Sequence, residues 1–325
     1  MIEKRRLGRN GPELTTVGFG AWAAGGPWFF GWGPQDDRES IAAIRRSLEL
    51  GVNWIDTAAI YGMGHSEEVV GRAVRGLPRD SFFIATKCGR IPVEGRSPRG
   101  DLRPATMRRE MEDSLRRLGT DHVDLYQIHW PDLDTGAPIE DSWTAMATLL
   151  DEGKTRWIGV SNFDVPLLER CEAIRHVDSL QPPYSLLARE VESEVLPYCR
   201  RSGIGVIAYS PMASGLLSGS FDPARLAPDD WRRRSPNFQE PRLSRNLALV
   251  DALRPVAAGR GKTVGQVAVA WTLANPAVTA AIVGARRPAQ AEENVGAMGL
   301  RLTDEEMAAI ESAYRSTVGE GKARG

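Results

Sequence analysis

Eight short apolar runs, each followed by a stretch of helical periodicity, divide the chain and leave few folds open to it. The runs fall at 17–20, 52–56, 82–87, 123–129, 157–160, 179–181, 205–209 and 279–283. Strands joined through helices run parallel, because such a crossover returns the chain to the same end of the sheet. Eight such units close into a (β/α)8 TIM barrel, an α/β fold whose chemistry sits at the carboxyl ends of the strands. The length of 325 residues suits one barrel. No internal repeat or linker interrupts it, so residues 1–325 are expected to form a single domain.

The intervening segments carry helix signals. Ile41, Ile44, Leu48 and Leu50 share a face after Asp36, and Gly51 closes that segment. Ser66 stands where a cap would, with Glu67 and Glu68 in the first turn, and predicts a helix over 66–75. Helices are also expected over 106–118, 139–152, 166–173, 191–202, 246–258 and 263–274, and from Pro288 and Thr303 onward. Ahead of the first barrel strand, apolar pieces broken by Gly8, Asn10-Gly11 and Pro12 predict an N-terminal β-hairpin. From residue 210 to about 245 no period is evident, and an irregular insert is expected.

Composition narrows the partners. With 41 basic and 42 acidic residues the formal charge is -1, and no global field draws the chain to nucleic acid or an anionic membrane. The three cysteines, Cys88, Cys171 and Cys199, lack metal-ligand spacing and suit a reducing compartment. Residues 1–6 lead into no apolar stretch, and no run approaches the ~20 residues needed to span a bilayer. A cytoplasmic protein acting on a small molecule is the expectation. His65, His122, His129 and His176 show no metal-binding spacing, so no metal is expected.

One motif misleads. Gly18-Phe19-Gly20-Ala21-Trp22-Ala23 fits a loose dinucleotide-binding pattern, but that pattern has meaning only when its glycines open a helix. Gly25-Gly26-Pro27 and Gly33-Pro34 forbid a helix here. The same loop concentrates Trp22, Trp28, Phe29, Phe30 and Trp32, which either plug the barrel beneath a lid or line an apolar pocket.

Three successive runs end in ionisable side chains, Asp56, Lys87 and His129, and Tyr61 follows five residues after the first. Singly, Asp56 fits a turn cap, Lys87 a solvated rim charge and His129 a hydrogen-bonded core histidine. Together they make one device. A phenol with an ordinary pKa of about 10 is a poor acid. A nearby ammonium stabilises the phenolate and lowers that pKa, a carboxylate holds the ammonium, and an imidazole donates to a carbonyl oxygen as it gains charge. Such a set suits hydride addition to a carbonyl. No side chain supplies hydride, so a nicotinamide cofactor is implied.

These residues sit in longer stretches that resemble the aldo-keto reductases, in particular their bacterial NADP-dependent branch. Gly51 to Ala58, Tyr61-Gly62, Ser66-Glu67 and Val70-Gly71 resemble the family's first signature. Leu125 to Trp130 resembles its histidine strand, and Gly159-Val160-Ser161-Asn162-Phe163 its central motif. The resemblance implies reversible reduction of aldehydes or ketones, with Asp56, Tyr61, Lys87 and His129 as the catalytic set. Some relatives are instead cofactor-sensing channel subunits. The intact Tyr61, Lys87 and His129 argue against that alternative.

The resemblance also implies how NADP(H) would be held, with NAD(H) as the alternative. Ser161, Asn162 and Gln181 fall where the family binds the nicotinamide carboxamide and Tyr209 where a ring stacks on it, and Trp22 and Asp56 are also expected to bind the cofactor. Ser210-Pro211-Met212 and Gly215, Leu216 and Ser218 resemble the pyrophosphate loop. Gly284, Arg286, Gln290, Glu293 and Asn294 match the segment that meets the adenosine end. Many members carry lysine at the position of Gly284 and arginine at that of Gln290, which leaves Arg286 or Arg287 to meet a 2'-phosphate. Trp28, Trp130 and, from the insert, Trp231 are expected at the substrate pocket.

Overall fold

The computed structural model describes residues 2–132 and 134–319. Two short antiparallel strands, β1 (Lys4–Arg6) and β2 (Glu13–Thr15), come first. The barrel begins with β3 (Val17–Gly20), β4 (Trp54–Asp56) and β5 (Phe83–Cys88). After a second antiparallel pair, β6 (Arg90–Val93) and β7 (Arg96–Gly100), it resumes. β8 (Val123–Ile128), β9 (Thr155–Ser161), β10 (Ser179–Gln181), β11 (Gly205–Ala208) and β12 (Val278–Gly284) complete it. Each barrel strand pairs in parallel with the next, and β12 closes on β3. All eight expected runs lie on these strands.

Period 2 decides what each strand sends inward. Trp54, Phe83, Ala85, Leu125, Ile207, Ala280 and Ile282 pack together inside the barrel, while Ile55, Ile84, Tyr126, Ile158 and Leu180 face the helices. Continuing the inward set by two residues brings Asp56, Lys87, Ser161, Gln181 and Tyr209 to the carboxyl end. The opposite end is closed by the first hairpin, whose Leu7 and Leu14 are wholly buried against the inner cluster. Trp54 Nε1 donates to Thr15 O at 2.8 Å, and Arg5 Nη1 donates to Leu273 O and Val278 O at 2.8 and 2.9 Å. Gly8 takes φ 57° where a Cβ would lie 2.7 Å from Gly203 O, so only glycine permits the hairpin to seat.

Ten helices of the described residues surround the barrel: α1 (Asp37–Glu49), α2 (His65–Val74), α3 (Pro104–Leu118), α4 (Ile139–Asp151) and α5 (Val165–Glu172) in the first half. α6 (Val195–Ser202), α7 (Arg242–Gly259), α8 (Val264–Ala274), α9 (Pro288–Val295) and α10 (Asp304–Thr317) complete the second. Thr263 with Gln266, and Thr303 with Glu306, form capping boxes that start α8 and α10.

Three local expectations change. Ser66 is not the cap of α2: the turn before it runs through Gly62, Met63 and Gly64 at φ 60°, 56° and 100°, and the helix begins one residue early. Ser66 is buried instead, donating to Ala21 O at 2.7 Å and bonding Thr57 Oγ1 at 2.8 Å. The insert is built from short 3-10 turns at Ala213–Ser218, Pro223–Arg225, Trp231–Arg234 and Pro236–Phe238. The β6–β7 hairpin was not expected at all, because its apolar content is too low to show a period.

That hairpin leaves β5 at Gly89, whose N–H donates to Glu110 Oε2 of α3 at 2.8 Å. Burial pushes this carboxyl from 4.5 up to about 8. The folded protein therefore keeps a proton that the unfolded chain releases. The stability it confers is full at acid pH and is lost as pH rises through about 8. Glu110→Gln keeps an acceptor for Gly89 and removes the titration. Between about pH 5 and 8.5, urea unfolding should show the parent losing about 1–3 kcal/mol more stability than the variant.

Candidate active site

Asp56, Lys87 and Tyr61 meet at the carboxyl end of the barrel. Asp56 stands opposite Ala85 in the β4–β5 register, so the next inward residue of β5, Lys87, lies diagonally beside it. Lys87 Nζ donates to Asp56 Oδ1 at 2.6 Å, to Thr57 O at 2.8 Å and to the Tyr61 hydroxyl at 3.3 Å. Three protons thus find three acceptors. The second Asp56 oxygen accepts from Gln181 Nε2 at 2.9 Å. His129, one residue beyond β8, sets its ring edge-on to Tyr61 with centroids 5.7 Å apart.

The electrostatics correct one expectation. Burial, and then the Asp56 charge, push the Tyr61 phenol well above its ordinary value rather than below it. The Lys87 ammonium is matched by Asp56 at 2.6 Å, so it does not outweigh burial and the carboxylate at the phenol. The resting hydroxyl is a protonated donor. Burial, Lys87 and Arg90 hold His129 well below its ordinary range, so its imidazole is neutral and offers one N–H.

From this centre a cavity of about 550 Å³ runs along the barrel mouth. Beside Gln181, Ser161 Oγ donates to Gln181 O at 2.7 Å, and Asn162 Nδ2 donates to Ser161 Oγ and to His129 O at 2.9 and 3.1 Å. The Tyr209 hydroxyl donates to Asn162 Oδ1 at 2.8 Å, which fixes its ring against the cavity. Asn162, Ser210, Ala213 and Ser214 have φ of 63°, 55°, 46° and 56°. Non-glycine residues in that region cost about 1–3 kcal/mol each and collect at functional sites.

The roof is aromatic. Trp22 stacks on Tyr61 at 6.1 Å and on Trp231 at 5.9 Å, while Trp28 tilts against both Tyr61 and Trp22 at 6.0 and 6.4 Å. Trp231 belongs to the insert, which folds over the cavity. Its neighbour Arg232 lies over the Trp32 ring at 4.4 Å, bonds Ser214 O at 3.3 Å and pairs with Asp230 at 2.6 Å. The buried indole N–H groups of Trp22, Trp28 and Trp231 have no partner among the described residues. Orphan buried donors cost about 1–3 kcal/mol each. Trp22 and Trp28 line the cavity, and a ligand bearing acceptors fits their side of it.

Most residues singled out from the sequence line this one cavity, including Trp130, Ser210, Pro211, Met212, Gly215, Ser218, Gly284, Arg286 and Gln290. Lys87 lies beneath its floor. Leu216 does not line it and packs with Phe238 and Leu243 under the insert, and Trp231, expected at the substrate pocket, is not on the lining but stacks on Trp22. Glu293 and Asn294 stand behind it; Asn294 Nδ2 donates to Gly284 O at 3.0 Å and so shapes the wall. Three charged lining residues went unnoticed in the sequence, Arg90, Asp222 and Arg225. For Arg90 the only available signal was the Glu94-Gly95 turn, which marks a hairpin folding back beside His129.

A family model described as the Aldo/keto reductase family matches residues 16–315. The chain belongs to that family. It is 38% identical over 322 residues to the aldo-keto reductase YhdN of Bacillus subtilis (strain 168), covering 98% of this chain and 96% of that one. It is 34% identical to the NADH-specific methylglyoxal reductase of Escherichia coli (strain K12), covering 93% and 95%. The solved structure of the glycerol dehydrogenase AKR11B4 from Gluconobacter oxydans superposes with a TM-score of 0.87 at 38% identity, covering 97% and 95%. No helix among the described residues is long and apolar enough to cross a membrane.

The charge states can be checked without a substrate. Nitrogen-15 NMR of the His129 imidazole should show the neutral form persisting well below pH about 6.5. Ultraviolet difference spectra of the parent against Tyr61→Phe should show no extra tyrosinate up to pH about 10. An extra tyrosinate near pH 8 in the parent would contradict the electrostatic account.

Proposed function

We propose that this chain reversibly reduces small aldehydes or ketones, with NADP(H) as cofactor and Tyr61 as the proton donor. The observation that carries this is the buried Asp56–Lys87–Tyr61 relay with His129 beside it. When bound, a nicotinamide supplies hydride, the one component these side chains lack. The residues present fit it. Gln181 is oriented by Asp56 and keeps its Oε1 free for an amide donor, while Tyr209, anchored through Asn162, offers a ring face. Arg286 and Arg232 face one end of the cavity, as an anionic dinucleotide requires.

Tyr61 hands its proton to the carbonyl oxygen as that oxygen gains charge. Lys87, at 3.3 Å, stabilises the phenolate left behind, and Asp56 keeps Lys87 in reach. His129 donates its N–H to the same oxygen and so orients the substrate. The aromatic roof excludes water, which strengthens each of these interactions.

The preference for NADP(H) rests on Arg286. Its guanidinium is held by Gln35 Oε1 and Pro34 O, both at 2.7 Å, and its backbone N–H donates to Gln290 Oε1 at 2.8 Å. It is half-buried, and burial and the like charge of Arg232 lower its pKa. A 2'-phosphate would relieve that repulsion. Arg287 does not line the cavity, so Arg286 is the better placed of the two.

Two experiments test the proposal. Tyr61→Phe should lower kcat for carbonyl reduction about 10²–10⁴-fold, while quenching of tryptophan fluorescence by NADPH stays at the parent's affinity. Full turnover in that variant would sink the assignment. Arg286→Leu should lower the ratio of kcat/KM with NADPH to that with NADH by about 10-fold or more. An unchanged ratio would remove Arg286 as the source of preference.

A further inference from the structure

Beside His129 the cavity contains a cation that the proton relay does not use. Arg90 opens β6, directly after Gly89, and lines the cavity with Tyr61, His129 and Trp130. Its guanidinium is half-buried, and burial lowers its pKa. Its hydrogen bond is Nη2 to the Pro98 carbonyl at 2.6 Å, within its own hairpin. No carboxylate of the described residues lies within the 4.0 Å ion-pair distance.

The two nearest acidic groups, Asp132 and Asp134, act on Arg90 only at longer range and are occupied elsewhere. Asp132 accepts from Leu102 N at 3.1 Å and from Asp134 N and Thr135 N at 2.8 and 2.9 Å, and also from Thr135 Oγ1. Asp134 accepts from Gly100 N. These bonds pin the hairpin and leave Arg90 with donors to spare. A partly desolvated guanidinium with unused donors is costly in a resting protein and valuable to a ligand that brings an anion.

The polar groups near the Tyr61 hydroxyl point the same way. Tyr61, His129 and Arg90 are donors, and both oxygens of Asp56 are committed to Lys87 and Gln181. A polyol needs acceptors as well as donors from its site. A carboxylate or phosphate needs donors alone, and the planar fork of arginine matches either.

We propose that Arg90 is a specificity-determining residue that binds a carboxylate or phosphate carried by the substrate, while the substrate's carbonyl oxygen lies between Tyr61 and His129. The substrate class is then a short aldehyde or ketone with an anionic group a few carbons from the reacting centre. This rests on the carbonyl-reductase function proposed above. β6 and β7 form a paired hairpin tied at Gly89, Gly100 and Leu102, so Arg90 is presented from a fixed element.

The test compares pairs that differ in the anionic group, with NADPH: 4-oxobutanoate against butanal, and glyceraldehyde 3-phosphate against glyceraldehyde. In the parent, kcat/KM should favour at least one anion by about 10- to 100-fold, the range of a hydrogen-bonded charge. The excess should shrink as salt is raised. Arg90→Leu should collapse that ratio, and Arg90→Lys should restore part of it, since it keeps the charge and loses the fork. Butanoate should compete with the favoured anion more strongly than butanamide does, which tests the parent alone if the variants fold poorly. Whether carboxylate or phosphate is favoured identifies the anion. Turnover of neutral aldehydes with no preference for either anion, or a ratio unmoved by Arg90→Leu, overturns the inference and leaves the reductase function standing. No oxidation of NADPH with any of the four compounds overturns both.

Discussion

Two opposite charges lie 2.6 Å apart inside the barrel, almost wholly shielded from water, and the site is arranged around keeping them there. Burial drives the Asp56 carboxyl up and the Lys87 ammonium down, toward neutrality, and each is opposed by the other's charge. Removing one partner of a buried pair typically costs about 3–5 kcal/mol, because the survivor is left uncompensated. Here the surroundings complete the pair. Thr57 O and the Tyr61 hydroxyl take the remaining Lys87 protons, and Gln181 takes the free Asp56 oxygen. Strand register, the turn that delivers Tyr61 and the position of Gln181 across the barrel each bring one of these partners into place.

The barrel was legible in the sequence because its strands obey a strict rule. A residue two positions beyond a buried apolar side chain faces the same way, so Trp54 announces Asp56 and Ala85 announces Lys87. The hairpin bearing Arg90 obeys no such rule. Its strands, Arg-Ile-Pro-Val and Arg-Ser-Pro-Arg-Gly, bury little and are held by carboxylates from a distant loop. Ser66 shows a different limit. Its place before two acidic residues reads as a cap, but three left-handed residues turn the chain first, and Ser66 then serves to tie α2 to the loop after β3. Such contacts between distant segments leave no local period.

The insert was unreadable for a related reason. Its 3-10 turns have little apolar surface of their own, and their order comes from what they touch. Phe238 and Leu216 pack beneath the insert, Trp231 lies on Trp22, and Arg232 spans Trp32 and Ser214. Trp22 in turn stacks on Tyr61. The insert is therefore linked to the phenol through two ring contacts, and its cover over the cavity excludes part of the solvent from Tyr61.

That exclusion imposes a direction on the proposed chemistry. A half-buried phenol beside the Asp56 carboxylate keeps its proton, and supplying that proton to a nascent alkoxide needs no prior ionisation. The reverse reaction must first generate a base where burial and Asp56 both oppose the phenolate. A positive charge brought next to the ring would offset that opposition, and the oxidised nicotinamide is positively charged whereas the reduced form is not. With burial and the Asp56 carboxylate both favouring the protonated phenol, a positively charged ring bound beside Tyr61 would favour the base form that alcohol oxidation needs.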